Sequence, residues 1–261
     1  MKTTREKTAT EAGGCPEMSR GVGELEAFQQ VMPESLAFPT ALATQLGAIW
    51  FASVVLFCVY RFHDREQAVI TAGLLIAGTS IWRTIKIVAP VPRPDQPLIA
   101  TSELPLLLQP AFDLAVVNSG PGFPSGHAVT TTVLYLSLAR YLDVGTPRKR
   151  YTAAIFMISL VGFTRITLGV HYLVDVLAGA AIGHTLLLSF RWGMSHTTTP
   201  RPTAALTIGV VLASVCLLAN LLIPPWSLWE FGLFAAGVSA FVWWEYDVVQ
   251  SYYPDRLRQR R

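Results

Sequence analysis

Seven long segments with few charged residues constrain the fold of this chain more than any other feature of the sequence. The clearest segment is Ala41 to Tyr60, which has 20 residues and no Asp, Glu, Lys or Arg. A membrane core about 30 Å thick is crossed by about 20 helical residues. Similar segments follow at 67–89, 126–142, 151–164, 172–192, 203–223 and 228–248. The pattern predicts an all-α, polytopic transmembrane helix bundle of about seven spans.

The low content of charged residues supports this interpretation. Only 14% of the residues are Asp, Glu, Lys or Arg, whereas an average soluble domain has about 25%. A chain this poor in charge cannot cover the surface of a soluble enzyme, and its 52% hydrophobic content excludes a disordered chain. It also lacks the broad basic face of a nucleic-acid-binding protein. We therefore expect membrane lipids, and no nucleic acid, as partners.

The distribution of basic residues predicts the orientation in the membrane. The alternate connections 61–66, 143–150 and 191–201, together with the tail 249–261, carry 11 Lys and Arg residues. Cytoplasmic connections are enriched in these residues. The sequence therefore predicts a multi-pass protein of the cell membrane with a cytoplasmic C-terminus and an extracytoplasmic N-terminal tail.

The N-terminal tail contains one amphipathic stripe, formed by Val22, Leu25, Phe28 and Met32. The spacing predicts a short helix lying on the outer membrane surface, and a plain linker is the alternative. The first apolar segment begins near residue 41, which is too late for a cleavable signal peptide.

The three cysteines predict neither a disulfide framework nor a zinc site. Cys58 and Cys216 lie in apolar segments, where buried packing is expected, and Cys15 lies in the polar tail. No His, Cys or carboxylate cluster with ligand spacing is visible elsewhere. We expect no metal and no cofactor.

Ionisable residues at the outer ends of spans two to five point to a functional site. They are Lys86, Arg93, His127, Arg165, His171 and Asp175. A charge at the centre of a span costs about 2.5–3.5 kcal/mol on insertion scales, so such residues need a role. Three of the residues are the cations Lys86, Arg93 and Arg165, and such a cluster favours binding of a phosphate-like anion. Extension of single side chains to lipid head groups is the alternative.

The remaining residues have the character of acid–base and nucleophilic chemistry. Ser125 can cap the following helix or bind a substrate oxygen, and Gly126 allows the backbone to approach an anion closely. His127 follows them directly. His171 and Asp175 are spaced i, i+4, so the carboxylate can fix the imidazole tautomer and make the ring more nucleophilic. A structural polar pair at a helix end is the alternative.

Three motifs resemble the signature motifs of the type 2 phosphatidic acid phosphatase (PAP2) superfamily. They are Lys86-x6-Arg93-Pro94, Pro124-Ser125-Gly126-His127 and Arg165-x5-His171-x3-Asp175. The family often has Ser before the Arg of the third motif, where this chain has Thr164, which keeps the hydroxyl.

The resemblance implies an integral-membrane phosphatase that hydrolyses a lipid phosphate or polyprenyl diphosphate without a metal, at the outer face of the membrane. It implies His171 as the nucleophile that becomes a phosphohistidine, Asp175 as its orienting carboxylate and His127 as the general acid. The implied substrate-binding residues are Lys86, Arg93, Ser125, Gly126 and Arg165. A non-catalytic lipid-phosphate binding or transport protein on the same fold is the alternative, and the oligomeric state is open.

The resemblance also implies a domain organisation. It divides the chain into a tail at 1–39, a PAP2-like catalytic membrane core at 40–192, two additional transmembrane helices at 193–248 and a basic cytoplasmic tail at 249–261. The connection 90–124 is long enough to fold over the site as a lid. Glu230, Glu245 and Asp247 flank the last span, where we expect them to be interface residues.

Overall fold

The computed structural model describes residues 20–116, 120–196 and 198–252, with side chains as far as residue 247 in the last helix. These residues form ten α-helices and no β-strand. The helices are α1 Glu24–Val31, α2 Ala37–Thr44, α3 Ile49–Phe62, α4 Arg65–Val88, α5 Gln109–Val116, α6 Gly126–Tyr141, α7 Pro147–Thr167, α8 Leu173–Met194, α9 Arg201–Leu222 and α10 Leu228–Tyr252. Cys15 and the basic residues after 252 lie outside the described residues.

The long apolar helices confirm the predicted all-α membrane bundle. By length and composition, α4, α8 and α9 could each cross a membrane. The segments Glu34–Gly47 and Ile49–Phe62 add a fourth span if they are taken together, although a bend of 51° separates them. The count of about seven spans remains a prediction.

The first predicted span is broken into two helices. Helix α2 ends at Thr44, a 3-10 turn follows, and Ala48 is extended with φ −74° and ψ 148° before α3 begins. Packing against α6 and α7 explains the break. A Cβ on Gly47 would lie only 2.7 Å from Cγ1 of Val161, and the Tyr135 hydroxyl donates to the Leu46 carbonyl at 3.0 Å.

Helix α4 lies at the centre of the bundle. Asp64 caps it by accepting the Gln67 N–H at 3.1 Å. Its buried residues Ile70 and Leu74 pack in one core cluster with residues of α6 and α9. The α4–α9 contact is especially close, because a Cβ on Gly73 would lie 2.6 Å from the carbonyl carbon of Ala205. Small residues allow this approach of two membrane helices.

Helix α1 and the described parts of the connection 90–124, residues 90–116 and 120–124, cover one end of the bundle. The expected short helix is present, but it packs against protein. Leu25 is buried in a cluster with Ile166 and Val176, and Phe28 meets Phe163 edge-on at 5.2 Å. Val22 lies before the helix and is 88% exposed, so it does not belong to the buried stripe. In the connection, α5 packs against α2 and the segment after α7.

Candidate active site

The predicted site residues meet in one cavity at the covered end of the bundle. The cavity has a volume of about 270 Å³. Six of the eight predicted residues line it: Lys86, Arg93, Gly126, His127, Arg165 and His171. The other two, Ser125 and Asp175, do not line the cavity and are fully buried. Separated segments of the chain therefore bring Lys86, Arg93, His127, Arg165 and His171 together in a single place.

His171 is held between a carboxylate and a guanidinium. Its Nδ1 lies 3.3 Å from Oδ2 of Asp175, and its Nε2 lies 3.2 Å from an Arg93 nitrogen. An arginine side chain can only donate hydrogen bonds. Nε2 must therefore be the acceptor, which leaves the proton on Nδ1, where it is donated to Asp175. The lone pair of Nε2 is then the free electron pair of this ring.

The surroundings of His171 keep the imidazole neutral. Burial lowers the pKa of His171 well below its usual range, and the cations Arg165, Arg93 and Lys86 lower it further. Burial also lowers the pKa of Arg93 from its ordinary value. A neutral imidazole has the free electron pair that nucleophilic attack requires.

Asp175 is fixed by its position in the first turn of α8. Its Oδ2 also accepts the Tyr172 N–H at 3.0 Å, which caps the helix start. Its Oδ1 accepts a 2.6 Å hydrogen bond from Arg20. Because both carboxylate oxygens have donors, the side chain has little freedom to rotate away from His171.

Three cations of the cavity have no carboxylate partner among the described residues. Lys86 lies at the end of α4, with its Nζ 5.0 Å from the centre of the Trp82 ring. Arg93 is held by the carbonyls of Gly120 at 2.9 Å and Val170 at 2.8 Å. Arg165 is 1% exposed and donates to the Ala115 carbonyl at 2.8 Å. Such a cluster is suited to an anion with several oxygens.

Two buried polar atoms at or next to the cavity, Nε of Arg165 and Oγ of Ser125, are without a hydrogen-bond partner among the described residues. Buried polar groups without partners are uncommon in folded proteins. Ser125 stands at the N-cap position of α6, but its side chain makes no capping bond, so the capping interpretation is not realised. Gly126 is needed because a Cβ there would lie 2.9 Å from the Trp82 ring.

Three contributors to the site were missed by sequence reasoning. Trp82 packs against the start of α6, Trp229 of α10 lines the cavity, and Arg20 binds Asp175. Aromatic residues near helix ends indicate only an interfacial position. The partner of Arg20 lies 155 residues away in the chain, and no local pattern signals such a pair.

Glu230, which was expected at the membrane interface, is buried within the protein. It is 1% exposed and forms an ion pair with Arg83. Its Oε1 accepts from Nε of Arg83 at 2.5 Å. A carboxylate inside an apolar helix needs a cation, so a signal was present in the sequence, although not the identity of the partner.

A sequence model of the PAP2 superfamily matches residues 66–199, a range that includes all three motifs. The chain belongs to the PAP2 superfamily. The match starts later than the predicted core at 40–192 and ends before α9, so α9 and α10 lie outside it. The predicted domain boundaries remain predictions.

Named relatives of this PAP2 protein are bacterial phosphatases. It is 35% identical to phosphatidylglycerophosphatase B of Bacillus subtilis over 89 residues, which are 32% of this chain and 43% of that protein. It is 32% identical to a decaprenylphosphoryl-5-phosphoribose phosphatase of Mycobacterium tuberculosis over 122 residues, 47% of this chain and 58% of that protein. The matches thus span about half the length of these relatives.

Two crystal structures share the fold, and the second is of a transmembrane phosphatase. LpxE of Aquifex aeolicus aligns with a TM-score of 0.52 at 19% identity, over 66% of this chain and 94% of that one. A PAP2-type phosphatidylglycerolphosphate phosphatase of Bacillus subtilis aligns with a TM-score of 0.50 at 25% identity, over 67% and 84%. Together with the apolar helices, these likenesses identify a multi-pass membrane protein.

Proposed function

We propose that this protein is a membrane phosphatase that hydrolyses a lipid phosphate or polyprenyl diphosphate through a phosphohistidine. The observation that carries the proposal is the position of His171, whose ring lies between Arg93 and Asp175 and lines a cavity together with Lys86 and Arg165. The printed names of the relatives, which concern phosphatidylglycerophosphate and a decaprenyl-linked phosphate, support a lipid substrate.

The first half of the reaction is attack by Nε2 of His171 on phosphorus. The Nε2–P bond forms, the bond from phosphorus to the leaving oxygen breaks, and protonated His127 gives its proton to that oxygen. Asp175 accepts the Nδ1–H hydrogen bond and offsets the positive charge of the ring. Arg93 moves its hydrogen bond from Nε2 to a phosphoryl oxygen, which Lys86 and Arg165 also bind.

The second half is hydrolysis of the phosphohistidine. His127, now neutral, takes a proton from water as the water oxygen attacks phosphorus, and the Nε2–P bond breaks. Inorganic phosphate leaves, and both histidines return to their starting states. General acid–base catalysis of this kind is typically worth about 10²–10⁴-fold in rate. Ser125 and the Gly126 N–H complete the proposed phosphate contacts.

The proposed site lies at the outer face of the membrane, where a lipid can keep its chain in the bilayer and present its phosphate to water. The support is the concentration of basic residues in the connections 61–66, 143–150 and 191–201, on the opposite side from the site. No group of three potential metal ligands from His, Cys, Asp and Glu occurs among the described residues. The proposed chemistry uses none.

The deciding experiment measures phosphate release from phosphatidate, phosphatidylglycerophosphate and a polyprenyl diphosphate by the purified protein in detergent. We expect turnover, and we expect it to persist in EDTA. His171→Ala should abolish it because the nucleophile is lost, whereas His184→Ala, a matched change further along α8, should not. Wild-type turnover in His171→Ala would refute the mechanism, and loss of activity in EDTA would refute metal independence.

A non-catalytic lipid-phosphate binder or transporter remains the second candidate. Such a protein needs the cations of the cavity but no nucleophile. Substrate labelled with ³²P separates the two candidates, because only the enzyme should give an acid-labile phosphoprotein. The label should be absent from His171→Ala. Binding of the lipid without any label on the wild-type protein would favour the second candidate.

A further inference from the structure

An apolar groove borders the catalytic cavity. It lies between α3, α4 and α10 and has a volume of about 700 Å³. The two spaces share four lining residues, Ile49, Thr79, Trp229 and Leu233. The groove therefore lies directly beside the space in which the head of a bound molecule would sit.

Small residues of α10 form one wall of this groove. Gly232, Ala236 and Ala240 line it, and their spacing of four residues puts them on one face of the helix. The opposite wall includes Leu75 and Ile76 of α4. The distance along α10 from Trp229 to Ala240 is about 16 Å at 1.5 Å per residue. The groove thus extends over about half of a membrane core.

The start of α10 is held in place beside the cavity. The buried ion pair between Arg83 and Glu230 joins α10 to α4. The turn before α10 is fixed by Asn220, which donates to the Ser227 carbonyl at 3.1 Å and accepts the Ser227 N–H at 3.0 Å. The Arg83 guanidinium lies 5.7 Å from the centre of the Trp229 ring. These contacts fix Trp229, which lines both the groove and the cavity, relative to the catalytic residues.

We propose that this groove binds the hydrocarbon chain of the lipid whose phosphate occupies the cavity, so that α10 is a substrate-binding element. The proposal rests on the proposed function. A chain that moves from bilayer to groove leaves one apolar environment for another and gains little from desolvation. The groove therefore acts mainly by aligning the phosphate with His171. Its contribution should be measurable as faster turnover of long-chain substrates.

Filling the groove tests the proposal. Ala236→Phe places a large ring on the groove wall, and Ala235→Phe places the same ring on the neighbouring exposed residue, which does not line the groove. For long-chain phosphatidate we expect Ala236→Phe to lower kcat/KM by about 10- to 100-fold because the phosphate is misaligned. Turnover of short-chain, water-soluble phosphatidate should be unchanged, and Ala235→Phe should turn over both substrates normally.

The outcomes separate the groove from the proposed function. The groove proposal would be overturned if Ala236→Phe lost turnover of both substrates equally, or lost turnover of neither. Either result would leave the proposed function intact, because that function is tested by His171→Ala. A folding defect in Ala236→Phe would be recognised by comparing its gel-filtration profile and melting temperature with those of Ala235→Phe.

A binding measurement tests the groove even if no turnover is found. His171→Ala is irradiated with phosphatidate that carries a diazirine in its acyl chain, and labelled peptides are mapped. We expect labelling of α10 that Ala236→Phe removes and that unlabelled phosphatidate competes away. Equal labelling by a diazirine analogue of phosphatidylcholine would identify surrounding bilayer lipid as the occupant and overturn the proposal.

Discussion

Asp175 is the most constrained side chain of the proposed active site. It is buried, yet its two oxygens accept hydrogen bonds from Arg20, His171 and the Tyr172 N–H. A buried charge is stable only when it is paired and hydrogen-bonded. Arg20 supplies the opposite charge from outside the matched residues 66–199, just before α1. Its second nitrogen donates to the Pro92 carbonyl at 2.6 Å, which fixes the guanidinium.

We therefore expect Arg20→Ala to lower kcat by about 10- to 100-fold, the usual effect of losing an outer partner that orients a functional ligand. KM should change little, because Arg20 does not line the phosphate cavity. Arg20→Lys should restore part of the activity, and Arg148→Ala, at an exposed arginine, should have no effect. A higher KM with unchanged kcat would instead indicate that Arg20 contacts the substrate.

The charge around His171 should be visible in its titration. Because burial and three cations lower the pKa of His171, the ring should stay neutral below the usual imidazole value of about 6.5. Removing one cation in Arg93→Gln should raise the pKa, so protonation should occur at higher pH than in the wild type. Arg93→Lys keeps the charge and should shift the titration less.

Nitrogen NMR of ¹⁵N-histidine-labelled protein in detergent measures this titration, and His171→Ala assigns the signal among the five histidines of the chain. A His171 signal that titrates at the ordinary imidazole pH in the wild type would contradict the electrostatic account of the site.

The motif residues could be predicted from the sequence because their spacing within each segment is fixed by local chemistry. His171 precedes the N-cap of α8 and Asp175 lies in its first turn, four residues later, and Gly126 and His127 share a helix start. Arg20 could not be predicted, because nothing near it in the sequence indicates a partner in α8. Pairings between distant segments arise from packing, which a local pattern does not contain.

Helix positions followed from apolar composition, whereas helix shape did not. The segment 41–60 is uniformly apolar, but Gly47 breaks it where the backbone presses against α6 and α7. Hydropathy is insensitive to such a break, because the same residues are buried in a straight helix and in a bent one. Hydropathy also gives no indication that Glu230 is paired with Arg83.

The close contact between α4 and α9 predicts that the packing of these two helices contributes to the stability of the fold. Gly73 lies against the Ala205 backbone, and a Cβ on Gly209 would lie 2.9 Å from the Gly73 carbonyl. Gly73→Val should force the helices apart and destabilise the fold by about 1–3 kcal/mol, as overpacking usually does. Gly193→Val, at a helical glycine with open space around it, is the matched control.

Thermal unfolding in detergent compares the two glycine variants. The melting temperature should fall for Gly73→Val and by much less for Gly193→Val. Equal melting temperatures for both variants would show that α9 is not held against α4 by this close approach.

At the scale of the whole molecule, the site is completed by segments on both sides of the matched family region. Residues 66–199 carry the three motifs, but Gly47 and Ile49 precede this region and Trp229 and Leu233 follow it, and all four line the cavity. The motifs therefore predicted the ionisable residues of the site but not the apolar residues that form the walls of the cavity. The walls are the part of the molecule in which a preference for one lipid chain over another would arise.

The predicted orientation of the molecule in the membrane depends only on the distribution of Lys and Arg among the connections. If the basic connections face the cytoplasm, the connection 90–124 and the site must lie outside. In a background with Cys15, Cys58 and Cys216 replaced by Ser, Glu103→Cys should react with a membrane-impermeant maleimide in intact cells. Thr198→Cys, in the connection between α8 and α9, should react only after lysis. The reverse pattern would place the site in the cytoplasm, and the substrate would then have to be presented from the inner leaflet.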